Sequence, residues 1–397
     1  MNLARLHTRK RLAVLGLNSG TSADGVDLAL VAVTRSGRTV RTDFVAGTEK
    51  KYPPMLREQL LACATADTME FDALLALDAE VGEFMGAAAK RFLAQLKRKN
   101  QSVDLIASHG QTVRHLPHRI TVAGQQRSAT LQLGSPERIA TATGRVTVAD
   151  FRQADTAAGG EGAPITVGAM HRLTGDRRES RLIVNIGGIA NFFYLPAGAE
   201  PKHVKAADCG PGNTLSDLLT ERLCSRPYDK NGALARKGTV SKRLLSLLLA
   251  HPFFTRRTDI STGRESFGDE LADWIISFGE EFSLQPVDLL ATAAQLTVEG
   301  VVAAVQPLLA NDRRLTKLYL TGGGARNRFF ASGLQTRLPG VTVAPIDHLG
   351  IPSGLVEAAA YAVMGEACLR GDSLASAATG RPAKVRPILG RIVQPPL

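Results

Sequence analysis

Residues 12–33 read LAVLGLNSGTSADGVDLALVAV, and the reading of this stretch decides the fold. Leu12 to Leu17 is an unbroken apolar run of strand length, Leu28 to Val33 is a second one, and small polar residues join them. A glycine turn that opened a helix would be a mononucleotide or dinucleotide loop; here it passes from strand to strand, which makes it a hairpin. In Ser19-Gly20-Thr21-Ser22-Ala23-Asp24-Gly25-Val26-Asp27 the small residues let backbone N–H groups approach an anion. Ser19, Thr21 and Ser22 carry hydroxyls that can donate to phosphate oxygens, and Asp24 offers a carboxylate that can hold Mg²⁺ through water. The same residue types are ordinary turn formers, so alone the segment reads as well as a plain hairpin.

Working outward, a second hairpin pattern, IVNIGGIANFFYL, lies at residues 183–195, and a third strand running into glycines, KLYLTGGGARN, at 317–327. Helical periodicity fills the intervals, as in residues 72–99 and in 288–310, where Leu289, Ala293, Leu296, Val301, Val305 and Leu308 share a face. Strands alternating with helices predict an α/β fold. Two hairpins of one kind predict two similar α/β halves facing one another across a cleft, expected at residues 1–180 and 181–365. The remaining tail, 366–397, is expected to pack back on the first half.

The chain of 397 residues, 44% hydrophobic and 21% charged, is long enough for two domains with sizeable cores. Its longest apolar stretches, around Leu244–Ala250 and Val301–Val305, fall short of the roughly 18 residues a membrane span needs, so no membrane segment is expected. The basic start, MNLARLHTRKRLAVLGL, reads as a short extension leading into the first strand. Four cysteines without a CxxC pair indicate neither a zinc site nor a disulfide framework. The net charge of +11 is spread along the chain with only 5% aromatics, so an anionic small substrate is favoured over nucleic acid.

Several other segments carry candidate chemistry. VADFRQAD, residues 148–155, runs into the glycine-rich AAGGEGAP; Arg152 offers a planar fork for a carboxylate, and Asp155 an acceptor for sugar hydroxyls. An internal Arg152–Asp155 link shaping the loop is the alternative. His109 and Thr112, in SHGQTVRH, follow an apolar strand whose carboxyl end is where ligands bind in open α/β sheets. Asp208 precedes a Gly-Pro-Gly turn that can aim its side chain or use it as a cap, and Glu357 opens a helix of small residues.

In order along the chain, GLNSGTSADGVD, ASHGQTVRHLP, VADFRQADTAAGGEGAP, VNIGGIAN, ADCGPGN, YDKNGALARKG, STGRESFGDELADW, LTGGGARN and GIPSGLVEAAAYA resemble the motifs of the anhydro-N-acetylmuramic acid kinase family, from about Leu15 to Glu366. The resemblance implies two actin-like, ribonuclease H-like α/β domains and an enzyme that uses ATP with Mg²⁺ in the cytoplasm. That enzyme would open the 1,6-anhydro bridge of the sugar, phosphorylate its 6-oxygen and work as a homodimer. By the same resemblance Gly20, Thr21, Ser22, Ala23, Asp24, Gly25, Val26 and Asp27 grip the β and γ phosphates. Gly187 and Gly188 form a second phosphate face, and Gly322, Gly323, Gly324 and Asn327 hold the adenosine. Asp208 falls on the catalytic base and Glu357 on its assistant, while His109, Thr112, Arg152 and Asp155 are the candidates for holding the sugar. The chain departs from the family's MSGTSLDG at Asn18 and Ala23, and carries Glu161 where glutamine is more usual. Two rival readings are another sugar kinase or phosphohydrolase of the same superfamily, and a catalytically silent sugar-binding protein.

Overall fold

The computed structural model describes residues 3–37, 39–122, 124–200, 203–255, 267–382 and 384–396. Residues 261–266 of the STGRESF motif therefore lie outside the described residues. The chain forms two compact units, one of residues 1–174 with 355–397 and one of residues 175–354.

The first unit is built on strands β1 (Arg11–Ser19), β2 (Gly25–Ser36), β3 (Thr39–Lys51), β4 (Leu105–Val122), β5 (Gln125–Leu133) and β6 (Thr147–Ala149), closed at one edge by the last strand of the chain (Arg391–Val393). β1 is central, antiparallel to β2 and parallel to β4. It is buried on both faces, which is why its sequence is continuously apolar rather than alternating. Ala13, Leu15 and Leu17 pack with Leu77, Val81 and Met85 of the helix Phe71–Arg98. The opposite face meets the helix Val356–Arg370 so closely that a Cβ on Gly16 would lie 1.8 Å from the Ala358 carbonyl oxygen. Alanines in that helix permit the approach, and the approach carries Glu357 to the end of β1.

The second unit holds β7 (Ser180–Ile186), β8 (Ile189–Leu195), β9 (Lys205–Pro211), β10 (Leu315–Thr321) and β11 (Thr342–Pro345), in the sheet order β11-β10-β7-β8-β9. β7, β8 and β9 form an antiparallel meander, and β10 and β11 continue in parallel on the other side of β7. The first unit repeats this plan as β3-β2-β1-β4-β6. Two copies of one meander-plus-parallel topology make this an actin-like α/β fold. The helix Pro286–Asn311 is the core of the second unit, burying Leu289, Ala293, Leu296, Val301 and Val305. By length and composition alone it is long and apolar enough to cross a membrane, although two-thirds of its apolar window, 67%, is buried. The periodic run in the sequence was thus longer than its apolar blocks suggested, because Thr292, Thr297 and Gly300 are buried with the rest.

The expected boundaries at 180 and 365 fall instead at 174 and 354. The physical reason for the second shift lies in the helix Val356–Arg370. Besides its close contact with β1, it buries Glu366, which accepts from Arg35 of β2 at 2.6 and 2.8 Å and from Arg370 at 3.1 Å. The tail beyond it completes the first sheet through its last strand, paired with β6. The basic start forms a short helix, Leu3–Thr8, whose Leu6 is buried.

Candidate active site

The β1–β2 ladder ends on the pair Asn18 and Asp27, and the residues between them form the turn. Ala23 sits at φ 49° and its N–H donates to the Gly20 carbonyl at 3.0 Å, so the turn closes on itself. Gly25 is required sterically, since a Cβ there would lie 2.3 Å from the Lys50 carbonyl oxygen. Ala23 and Val26 are buried and pin the turn to the core, while Thr21, Ser22 and Asp24 are exposed. Ser19 departs from its expected role as a phosphate donor. It is buried, with its hydroxyl bonded to the Gly25 carbonyl at 2.8 Å and to Gln111 Oε1. Gln111 in turn donates to the Gly20 carbonyl at 3.1 Å, so the HGQT segment props the turn from beneath. Asp24 projects outward, paired at 3.1 Å with Arg57, which also reaches the Ser22 carbonyl at 3.3 Å. Neither Gln111 nor Arg57 stood out in the sequence, because nothing local marks a polar residue as a prop.

Beside the turn, Asn18 Nδ2 donates to Glu357 Oε2 at 2.9 Å. Asp27 faces the same cluster, and its carboxyl is pushed up to about 7, first by burial and then by the charges of Glu49, Glu357 and Asp24. The folded protein therefore keeps a proton on Asp27 over a range where the unfolded chain, at its ordinary 3.8, has lost it. By linkage this acid contributes stability at low pH that is lost as pH rises through about 7. Asp27→Asn, which cannot ionise, is expected to be more stable than the parent at pH 8, with the gap narrowing towards pH 4. Urea midpoints for both proteins across that range check it; a gap independent of pH would mean that Asp27 ionises normally.

The sugar-loop candidates lie in the first unit. His109 is buried, stacked on Tyr361 with centroids 4.5 Å apart, and its Nε2 accepts from Arg152 Nε at 3.0 Å. A guanidinium can only donate, so His109 is neutral with its proton on Nδ1. Burial and then the Arg152 charge hold its pKa well below the ordinary value. The cation of this group is Arg152, whose Nη1 also donates to the Gly162 carbonyl at 2.7 Å. Thr112 accepts from Gln132 at 3.3 Å. Asp155 is placed differently from the expectation. It is fully buried, and its carboxylate accepts from the Gly162 N–H at 3.0 Å, Thr379 Oγ1 at 3.0 Å and Arg381 Nε at 3.3 Å. The acid shapes the glycine-rich loop, and its ionic partner is Arg381 of the tail rather than Arg152. Glu161 rides on that loop, its N–H bonded to the Thr379 carbonyl at 2.8 Å.

The second unit brings its own motifs together. Asp208 lies on β9 opposite Asn191, and the register then slips so that Gly210 faces Ala190. Cys209 is the extra residue of a bulge, and Gly210 follows at φ 115°, a conformation that suits glycine. This kink sets the direction of Asp208. The Gly-Pro-Gly turn is stitched to the second hairpin: Gly212 N–H donates to the Gly188 carbonyl at 2.9 Å and Asn213 N–H to the Gly187 carbonyl at 2.7 Å. Gly322, at φ 77°, lies so close to Asn185 that a Cβ would meet its Oδ1 at 2.4 Å, and Gly324 is packed as tightly on Ile186; Gly323 is the exposed member. Asn327 differs from its expected part in adenosine binding, because its Oδ1 caps the helix Arg328–Arg337 by accepting from the Phe329 N–H at 2.9 Å. Beside it, the YDKNG turn is held by Asp229, which accepts from the N–H groups of Leu234 and Ala235 at 2.8 and 2.9 Å.

A family model for anhydro-N-acetylmuramic acid kinase matches residues 12–395, extending past Glu366, where the motifs end, into the tail. An anhydro-N-acetylmuramic acid kinase of Salinibacter ruber is 37% identical over 93% of this chain and 93% of its own length. One of Xanthomonas campestris pv. campestris is 38% identical over 98% of this chain and 96% of its own. A looser likeness, with a TM-score of 0.42 and 12% identity over 90% of this chain and 99% of the other, is to component A of the (R)-2-hydroxyglutaryl-CoA dehydratase of Acidaminococcus fermentans.

Proposed function

The chain belongs to the anhydro-N-acetylmuramic acid kinase family, and on that premise we propose that it phosphorylates 1,6-anhydro-N-acetylmuramic acid with ATP. The anhydro bridge opens by hydrolysis, and the product is N-acetylmuramic acid 6-phosphate, as cell-wall recycling requires. The observation that carries this reading is the match to the family along nearly the whole chain, from residue 12 to 395, substrate-side motifs included.

The chemistry assigns tasks to the residues. Water adds to the anomeric carbon while Asp208 takes its proton, the bond from that carbon to the 6-oxygen breaks, and the oxygen takes the γ-phosphoryl group as ADP leaves. Glu357 assists. Arg152 supplies the positive charge for the lactyl carboxylate, and the Nδ1 proton of His109 is a donor to a sugar oxygen. The turn Gly20–Asp27 holds the phosphates through its exposed members, Gly187 and Gly188 form a second phosphate face, and the Gly322–Gly324 turn holds the adenosine. Asp27 and Val26 support that turn from within. The donor set suits Mg²⁺, which takes one or two carboxylates alongside substrate phosphates and water; Asp24 is the carboxylate exposed for it, at present balanced by Arg57. When bound, the ion neutralises charge on the transferring phosphates. We place the protein in the cytoplasm, as a homodimer with no nucleic-acid or membrane partner.

A coupled ADP-release assay with Mg²⁺, with and without the anhydro sugar, followed by mass analysis of the sugar, tests the reading. Sugar-dependent ADP release and a product heavier by one phosphate and one water are expected. A product gaining phosphate alone would refute bridge opening, and a lack of sugar-dependent turnover would refute the kinase.

A further inference from the structure

We propose that Gln111 is a positioning residue for the phosphoryl transfer: its side-chain amide ties the phosphate turn to the strand that carries His109 and Thr112, so that the phosphate grip and these sugar candidates share one rigid piece of sheet. The proposal rests on the reading of the Gly20–Asp27 turn as the phosphate grip.

The tie depends on an irregularity in the first sheet. β4 runs parallel to β1 in step from Val14 and Leu105 to Leu17 and Ser108, after which Ser19 faces Gln111, so β4 takes one residue more than β1 over this interval. The extra residue makes a bulge at His109 and Gly110. Gly110 stands at φ 77°, and a Cβ on it would lie 2.5 Å from the Leu133 carbonyl oxygen, so glycine is required there. His109, within the bulge, meets Arg152, and Gln111, just beyond it, meets the end of β1.

Gln111 is 2% exposed, and its amide finds every partner inside the first unit. Nε2 donates to the Gly20 carbonyl at 3.1 Å and to the Thr112 carbonyl at 3.2 Å, and Oε1 lies against the Ser19 hydroxyl. The two carbonyls fix which way round the amide sits, because the reverse orientation would set its oxygen against both of them. Ser19 in turn reaches the Gly25 carbonyl at 2.8 Å. Gln111 therefore holds the turn at Gly20 directly and at Gly25 through Ser19.

A peptide unit is planar, so anchoring the Gly20 carbonyl fixes the plane that it shares with Thr21. The Ala23 N–H donates to the same carbonyl at 3.0 Å, which closes the turn around that anchor. The exposed side chains of Thr21 and Ser22 thus stand on a fixed backbone. A misplacement of about 1 Å between reacting groups can slow a reaction by about 10²-fold, so a tie of this kind acts on rate as well as on stability.

Gln111→Met keeps the length of the side chain and removes its hydrogen bonds. Hydrogen exchange of the protein without ligands, read by mass spectrometry, is expected to be about tenfold faster in the peptide spanning residues 18–27 and unchanged in the second unit. In the same variant kcat is expected to fall by about 10²-fold and ATP affinity by about tenfold, while calorimetry finds the anhydro sugar bound within about twofold of the parent. Unchanged exchange in the turn would overturn the proposal. So would a lowered urea midpoint with kcat at the parent's value and both ligands equally weakened, since that is the signature of a role in stability alone. If the turn loosens while ATP affinity and kcat both stay at the parent's values, Gln111 anchors the turn as proposed and the assignment of the phosphates to that turn fails instead. Should the methionine variant not fold, Gln111→Asn, whose amide is one methylene too short to reach Gly20, is expected to loosen the same peptide, and unchanged exchange there would overturn the proposal.

Discussion

Asp208→Asn is expected to lower kcat by about 10²- to 10⁴-fold while ATP and the anhydro sugar still bind. The amide preserves the size of the side chain and its acceptor oxygen, so the bulged end of β9 should be kept, but it cannot take a proton from the attacking water. The fall belongs in kcat and in kcat/KM alike, since the lost interaction is made only in the transition state. Single-turnover kinetics, with ligand binding followed by calorimetry, separate the two effects. Turnover near that of the parent would remove Asp208 from the role of base and direct attention to Glu357. Loss of sugar binding in parallel with turnover would instead make Asp208 a substrate contact.

Asp155→Ala is expected to destabilise the first unit by about 3–5 kcal/mol, the usual result of leaving one member of a buried ion pair without its partner. Arg381 is 4% exposed and Asp155 fully buried, so water cannot replace the lost carboxylate. The Gly162 N–H and the Thr379 hydroxyl lose their acceptor at the same time. The loop 159–163 should loosen, and sugar affinity should fall as a consequence of that loosening. The double variant Asp155→Ala/Arg381→Met, which removes both charges, is expected to recover a good part of the stability. Urea unfolding of the single and double variants reads this directly. If Asp155→Ala kept full stability while sugar binding vanished, the acid would be a sugar ligand, as the sequence alone suggested.

Asp155 shows where reading the sequence stops. An acid three residues after an arginine, ahead of a glycine-rich turn, looks poised for a ligand, and an internal link to Arg152 was the natural alternative. In the structure the arginine turns to His109 and the acid to Arg381, 226 positions away. Ser19 and Asn327 follow the same pattern. Each has the side chain a phosphate or a nucleoside would want, and each spends it inside the protein, on Gln111 and Gly25 in one case and on a helix cap in the other. Turn chemistry was more legible: Gly25, Gly210 and Gly322 have steric or conformational reasons that a strand ending in small residues already implies.

By itself the sequence determined the two strand–turn–strand hairpins, the α/β alternation, the glycine turn between β1 and β2 and the family, because periodicity, turn propensity and motif order are properties of neighbouring residues. The tertiary structure alone decided which polar groups remain available and which are spent on distant partners. It brought Asn18 to Glu357, set Asp27 across the hairpin from Asn18, and locked Asp155 under the tail. Whether a donor or a lone pair is spare depends on partners supplied from distant parts of the chain, and burial, which raises the cost of leaving one unmatched, exists only once the chain has packed.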